Sequence, residues 1–102
     1  MQNSVVVINR GTAFLSVKQL AEELNMSQRS VRNLIKGIQN EIIEGRYSRY
    51  AIAGNRYNFY VVIDYLKYHS LLEDKNLRKT VPDFNPAEVA ELCGYNQKIV
   101  NI

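Results

Sequence analysis

One cysteine and one histidine in 102 residues exclude several kinds of chemistry at the outset. Cys93 alone rules out an internal disulfide framework and fits a reducing compartment, so the expected location is the cytoplasm. His69 and Cys93 supply at most part of a metal site, and no further ligand stands at zinc spacing. Asp64 and Glu73 lie near His69, but neither a third group nor a glycine-rich phosphate cradle accompanies them. The pattern predicts no enzyme, no metal and no cofactor. The apolar run Val5 to Ile8 is far too short for a signal peptide or a membrane span, so no membrane partner is expected. Low-complexity tracts are absent as well.

What remains is an ordinary folded composition, 46% hydrophobic, at a length that supports one core. Net charge is only +3, with 13 Lys and Arg against 10 Asp and Glu. Its distribution is more telling. Ser27 to Tyr60 holds Arg29, Arg32, Lys36, Arg46, Arg49 and Arg56 against Glu41 and Glu44, whereas the chain after Ser70 is slightly acidic.

Ser16 to Gln39 has the marks of two helices joined by a tight turn. Ser16 with Gln19 forms a capping box, so the first helix is expected to start at Val17. Leu20, Ala21 and Leu24 share one face, and Asn25 suits the left-handed conformation that ends a helix. Met26 plugs the turn and Ser27 caps the second helix. Val31, Leu34, Ile35 and Ile38 then form a buried stripe, leaving Gln28, Arg29, Arg32, Asn33 and Lys36 on the opposite side. Arg can bond guanine bidentately and Gln or Asn can bond adenine, while Lys36 suits phosphate.

Arg46 to Val62 is rich in Tyr, Phe, Ile and Val, with Gly54-Asn55 at its middle, which signals a two-residue hairpin. Tyr50 and Ile52 alternate with Arg49, Ala51 and Ala53 on one side, and Tyr57, Phe59 and Val61 alternate with Arg56, Asn58 and Tyr60 on the other. A third strand is expected from Ala13 to Leu15, or from Val5 to Ile8. Six tyrosines between Tyr47 and Tyr68 are expected mainly as sheet packing, the alternative being a stacking platform for single-stranded nucleic acid. A helix is expected over Ile63 to Leu72, with Ile63, Leu66 and Leu71 turned to the core.

On Leu20, Ala21, Leu24, Asn25, Met26, Val31 and Leu34, the segment resembles the helix-turn-helix of bacterial and phage winged-helix regulators. In that family a small Ala is followed four residues later by a turn residue, usually Gly, for which Asn25 stands here. The resemblance covers roughly residues 13 to 72. The order of elements is similar to the excisionase and MerR-like branch, and the second helix is similar to the reading helix of Mga- and DeoR-type regulators. It implies an α+β fold: a winged helix-turn-helix domain at 1–72, with a small antiparallel sheet, followed by a linker and short C-terminal helix at 73–102.

The tail helix is expected to start at Asn85-Pro86, with Val89, Ala90, Leu92 and Cys93 as its apolar face and Gly94 as its stop. It serves either docking and self-association or packing on its own domain. The expected partner is double-stranded DNA, bound through Ser27, Gln28, Arg29, Arg32, Asn33, Lys36, Arg49, Asn55, Arg56 and Asn58. The role is that of a small phage or mobile-element excisionase or architectural factor, or of a transcriptional regulator acting as a homodimer or side-by-side oligomer. The alternative is a protein-interaction module built on the same fold.

Overall fold

Local capping chemistry sets the first half of the chain; the computed structural model describes residues 14–92. Strand β1 (Phe14–Ser16) runs directly into helix α1 (Val17–Leu24). At their junction the Ser16 hydroxyl accepts from the Gln19 N–H at 3.2 Å, and the Gln19 carbonyl oxygen accepts from the Ser16 N–H at 2.9 Å. This is the expected capping box. Asn25 ends α1 in the left-handed region, at φ 54° and ψ 52°. The Met26 N–H then closes the turn on the Ala21 carbonyl at 3.0 Å, satisfying a group the helix end would otherwise orphan.

Ser27 caps helix α2 (Gln28–Ile43), which runs longer than the motif required. Its apolar stripe buries Val31, Ile35 and Ile38, with Leu34 half-buried. α2 packs on α1 and on helix α3 (Phe59–Leu72). The close approach to α3 depends on Gly37. A Cβ there would lie 2.8 Å from Cε2 of Tyr65, and nearer still to the ring tip.

The sheet has three antiparallel strands in the order β1-β3-β2, with β2 at Ile52–Ala53 and β3 at Arg56–Asn58. β3 pairs Tyr57 with both Leu15 and Ile52, so the described third strand is the one at Phe14, as the Ala13 to Leu15 alternative had it. Val5 to Ile8 lies outside the described residues. Gly54-Asn55 is the expected turn, and of the two only Gly54 has positive φ, at 63°, as the first turn position of a II′ turn requires.

The hairpin is shorter than the alternation implied. Arg49–Ala51 forms a 3-10 turn, nucleated by the Ser48 hydroxyl accepting from the Tyr50 N–H at 3.1 Å. At the other end, the Asn58 side-chain oxygen accepts from the N–H groups of Tyr60 at 2.9 Å and Val61 at 3.2 Å. That cap starts α3 at Phe59, four residues before the expected Ile63. The buried face of α3 is accordingly Phe59, Val61, Val62, Tyr65 and Leu72, with Ile63, Leu66 and Leu71 only half-buried.

The tail is fastened to the body. The Asp74 carboxylate accepts from the N–H groups of Asn76 and Leu77, and a 3-10 turn follows at Arg78–Thr80. Residues expected to be a charged linker are thus locally structured. Phe84 sits edge-on to Tyr47 with ring centroids 5.2 Å apart, and Val81 joins it against the core. Helix α4 (Pro86–Leu92) is capped by Asn85, whose side-chain oxygen accepts from the Ala87 N–H at 3.0 Å. α4 packs against α3 and buries Val89, so this helix rests on its own domain. Cys93 of its expected apolar face and the Gly94 stop lie outside the described residues.

Candidate functional site

Three buried residues on α2 decide what its other side shows. With Val31, Ile35 and Ile38 locked inward, the 3.6-residue period turns Gln28, Arg29, Arg32, Asn33 and Lys36 to solvent, and all five are exposed. The same face continues through Gln39 and Asn40, a turn beyond the residues the motif had marked. From Gln28 to Asn40 this surface carries three cations, several amides and no carboxylate. Glu41, the first acid along α2, is buried instead.

Among the described residues, none of Arg29, Arg32 and Lys36 forms an ion pair. Arg32 donates through Nη2 to the Gln28 Oε1 at 3.3 Å, one helical turn back. Ser27 is committed to the helix start: its oxygen accepts from the Ser30 N–H at 3.0 Å, and its proton goes to the Ser30 hydroxyl.

The remaining candidates lie on other elements. Arg49 stands on the 3-10 turn, stacked on Tyr50 at 4.9 Å from the ring centroid and donating to its hydroxyl at 2.8 Å. Asn55 is exposed at the hairpin tip. Arg56 is exposed on β3, where its Nη1 donates to the Gln19 Oε1 at 3.3 Å, next to the start of α1. Asn58 is half-buried and its side-chain oxygen caps α3, so its first role is structural. Of the tyrosines between 47 and 68, Tyr50 alone is exposed, at 70%.

Arg46, counted with the basic cluster in the sequence, is removed from it by the fold. It grips Asp64 at 2.8 Å in a pair whose side chains are 8% and 5% exposed, and it donates to the Pro82 carbonyl at 2.8 Å. The Tyr47 hydroxyl donates to the same carboxylate at 2.6 Å. Burial by itself would lower the Arg46 pKa; the bonds to Tyr47 and Asp64 outweigh it and raise it. Burial, then the bond to Asp64, pushes the Tyr47 hydroxyl far above its ordinary value.

A second clamp joins Arg78 of the tail to Glu41 at 2.8 Å and to the Leu72 carbonyl. Setting aside the neutralised Arg46 and Glu41 leaves Arg29, Arg32, Lys36, Arg49 and Arg56 against Glu44, so five minus one keeps the local balance at +4. Both clamps had a sequence signal that went unread. Glu41 follows Ile38 on the buried stripe of α2, and Asp64 sits inside the apolar run Phe59 to Leu66.

His69 stacks on Tyr65 with centroids 5.6 Å apart and faces Glu73 at 4.0 Å. Cys93 lies outside the described residues. Among those described, no three His, Cys, Asp or Glu residues stand close enough to hold a metal, and no helix is long and apolar enough to cross a membrane. Comparison with protein-family models, with curated proteins and with solved structures gave no match for this chain.

Proposed function

We propose that this protein is a winged helix-turn-helix protein that binds double-stranded DNA, with α2 as the reading helix in the major groove. The observation that carries the reading is the solvent face of α2, which holds Arg29, Arg32 and Lys36 among amides and no acid, none of the three in an ion pair among the described residues. A helix about 10–12 Å across fits a major groove about 12 Å wide. Arg32, Gln28, Arg29 and Asn33 carry the donors and acceptors that base edges require, and Lys36 supplies a flexible charge for phosphate. The β2–β3 hairpin, with Asn55 at its tip and Arg56 beside it, acts as a short wing against the backbone. Arg49 adds a further cation.

Arg29→Glu/Arg32→Glu tests the reading. Both side chains are exposed, so the variant keeps its melting temperature, and it loses binding to a labelled duplex. Retained binding would overturn the assignment of α2. The competing interaction-module reading is favoured by the exposure of Ile43 at 80% and Tyr50 at 70%. It requires charge reversal on α2 to be silent. Whether the DNA role is that of an excisionase-like architectural factor or of a regulator is decided by whether bound DNA is bent.

A further inference from the structure

Five of the described arginines fall into two groups according to what holds them, and Arg29 belongs to neither. Arg46 and Arg78 are held by carboxylates, Asp64 and Glu41, each at 2.8 Å. In both, the charge is cancelled and the pair fastens the tail to the helices. Arg32, Arg56 and Arg49 are held by neutral oxygens: Gln28 Oε1, Gln19 Oε1 and the Tyr50 hydroxyl. All three of these arginines are exposed.

A neutral acceptor does something a carboxylate does not. It restricts the rotamers of a long, flexible side chain while leaving the full positive charge and the other N–H donors for a ligand. The holders stand on ordered backbone. Gln28 is the first residue of α2, directly after the Ser27 cap. Gln19 Oε1 is already anchored by the Ser16 N–H in the α1 capping box. Tyr50 sits on a 3-10 turn pinned by Ser48 on one side and by buried Ala51 on the other. Side-chain ordering is one of the main costs of association, so an arginine ordered in advance binds an anion more tightly.

We infer that Gln28, Gln19 and Tyr50 are positioning residues, each presenting one cationic arginine to the phosphates or base edges of DNA. The inference rests on the DNA reading above. It assigns Gln28 a role exerted through Arg32, beyond any contact of its own.

Double-mutant cycles test it, with anisotropy of a labelled duplex as the readout at several salt concentrations. Gln28→Ala is expected to weaken binding about two- to tenfold, the net worth of one hydrogen bond. The salt slope should stay unchanged, because no charge is lost. In an Arg32→Ala background the same substitution should cost less, leaving only what Gln28 contributes by its own contact with DNA. Tyr50→Phe, which keeps the ring and removes only the acceptor, should weaken binding alone and be silent beside Arg49→Ala. Gln19 is left intact because it also caps α1. Melting temperatures should not move, since all four side chains are exposed.

Additive losses, or no loss from either holder, would overturn the inference while leaving DNA binding intact. Absence of salt-dependent binding by the unsubstituted protein would overturn the DNA reading and this inference with it.

Discussion

Gly37→Ala is the substitution whose outcome this structure fixes most sharply, because two opposed effects meet at one atom. In the interior of a helix, alanine is favoured over glycine by about 1 kcal/mol. Here the added Cβ would fall within the phenol ring of Tyr65, 2.8 Å from Cε2 and closer to Cζ and the hydroxyl. Tyr65 is only 6% exposed, so turning its ring away from the new Cβ gives up buried contacts between α2 and α3. Overpacking of this kind costs about 1–3 kcal/mol, and overlap with several ring atoms belongs at the upper end. The net expectation is a loss of about 2 kcal/mol, or about 8–16 °C in melting temperature for a domain of this size. Urea denaturation followed by circular dichroism measures it as a lower midpoint at unchanged slope. Tyr65→Leu removes the tip of the ring, and in that background Gly37→Ala should become stabilising by about 0.5–1 kcal/mol. The reasoning is refuted if Gly37→Ala stabilises the unsubstituted protein, or if its effect is the same in both backgrounds.

Asp64→Ala leaves the buried Arg46 guanidinium without its counter-ion and the Tyr47 hydroxyl without its acceptor; it should cost about 3–5 kcal/mol in urea denaturation, most of it recovered by Arg46→Met/Tyr47→Phe/Asp64→Leu. Asn25 holds a left-handed φ of 54°, so Asn25→Ala should destabilise by about 1 kcal/mol, whereas Asn25→Gly is neutral or stabilising in the same assay. Tyr47 keeps its proton in the folded state at a pH where the unfolded chain, with tyrosine near 10, gives it up. Stability from this group is therefore complete below about pH 10 and declines as pH rises further, and Tyr47→Phe should make the alkaline fall in melting temperature shallower. Arg32→Ala should cost about 1–3 kcal/mol at one base position in competition binding, and Lys36→Ala should weaken all duplexes alike.

The helical half of the fold was legible because its signals are local. A capping box at Ser16 and Gln19, Asn25 at a left-handed position and a 3.6-residue stripe on α2 each act over a few residues, and each stands in the structure as the spacing implies. The hairpin's length was not legible. Tyr57, Phe59 and Val61 alternate well enough for a strand, but Phe59 and Val61 belong to a helix buried on several sides, where the apolar pattern loses its period. The cap at Asn58 settles the boundary, and asparagine there also fits a turn. The candidate face of α2 was readable in full up to Lys36. What sequence spacing does not carry is which arginine finds which oxygen: Arg46 meets Asp64 across 18 positions and Arg78 meets Glu41 across 37. Charge counting therefore placed Arg46 on the surface, and only the folded chain moves it inside.

The central claim is that α2 and the hairpin form a cationic surface for DNA, and binding to a random-sequence duplex across a salt series tests it most directly. With five exposed cations available, Arg29, Arg32, Lys36, Arg49 and Arg56, the logarithm of the association constant should fall against the logarithm of salt concentration. The expected slope is about −2.5 to −4.5, depending on how many of them touch phosphate rather than bases. A folded protein that shows no binding at low salt, or binding indifferent to salt, would contradict the claim.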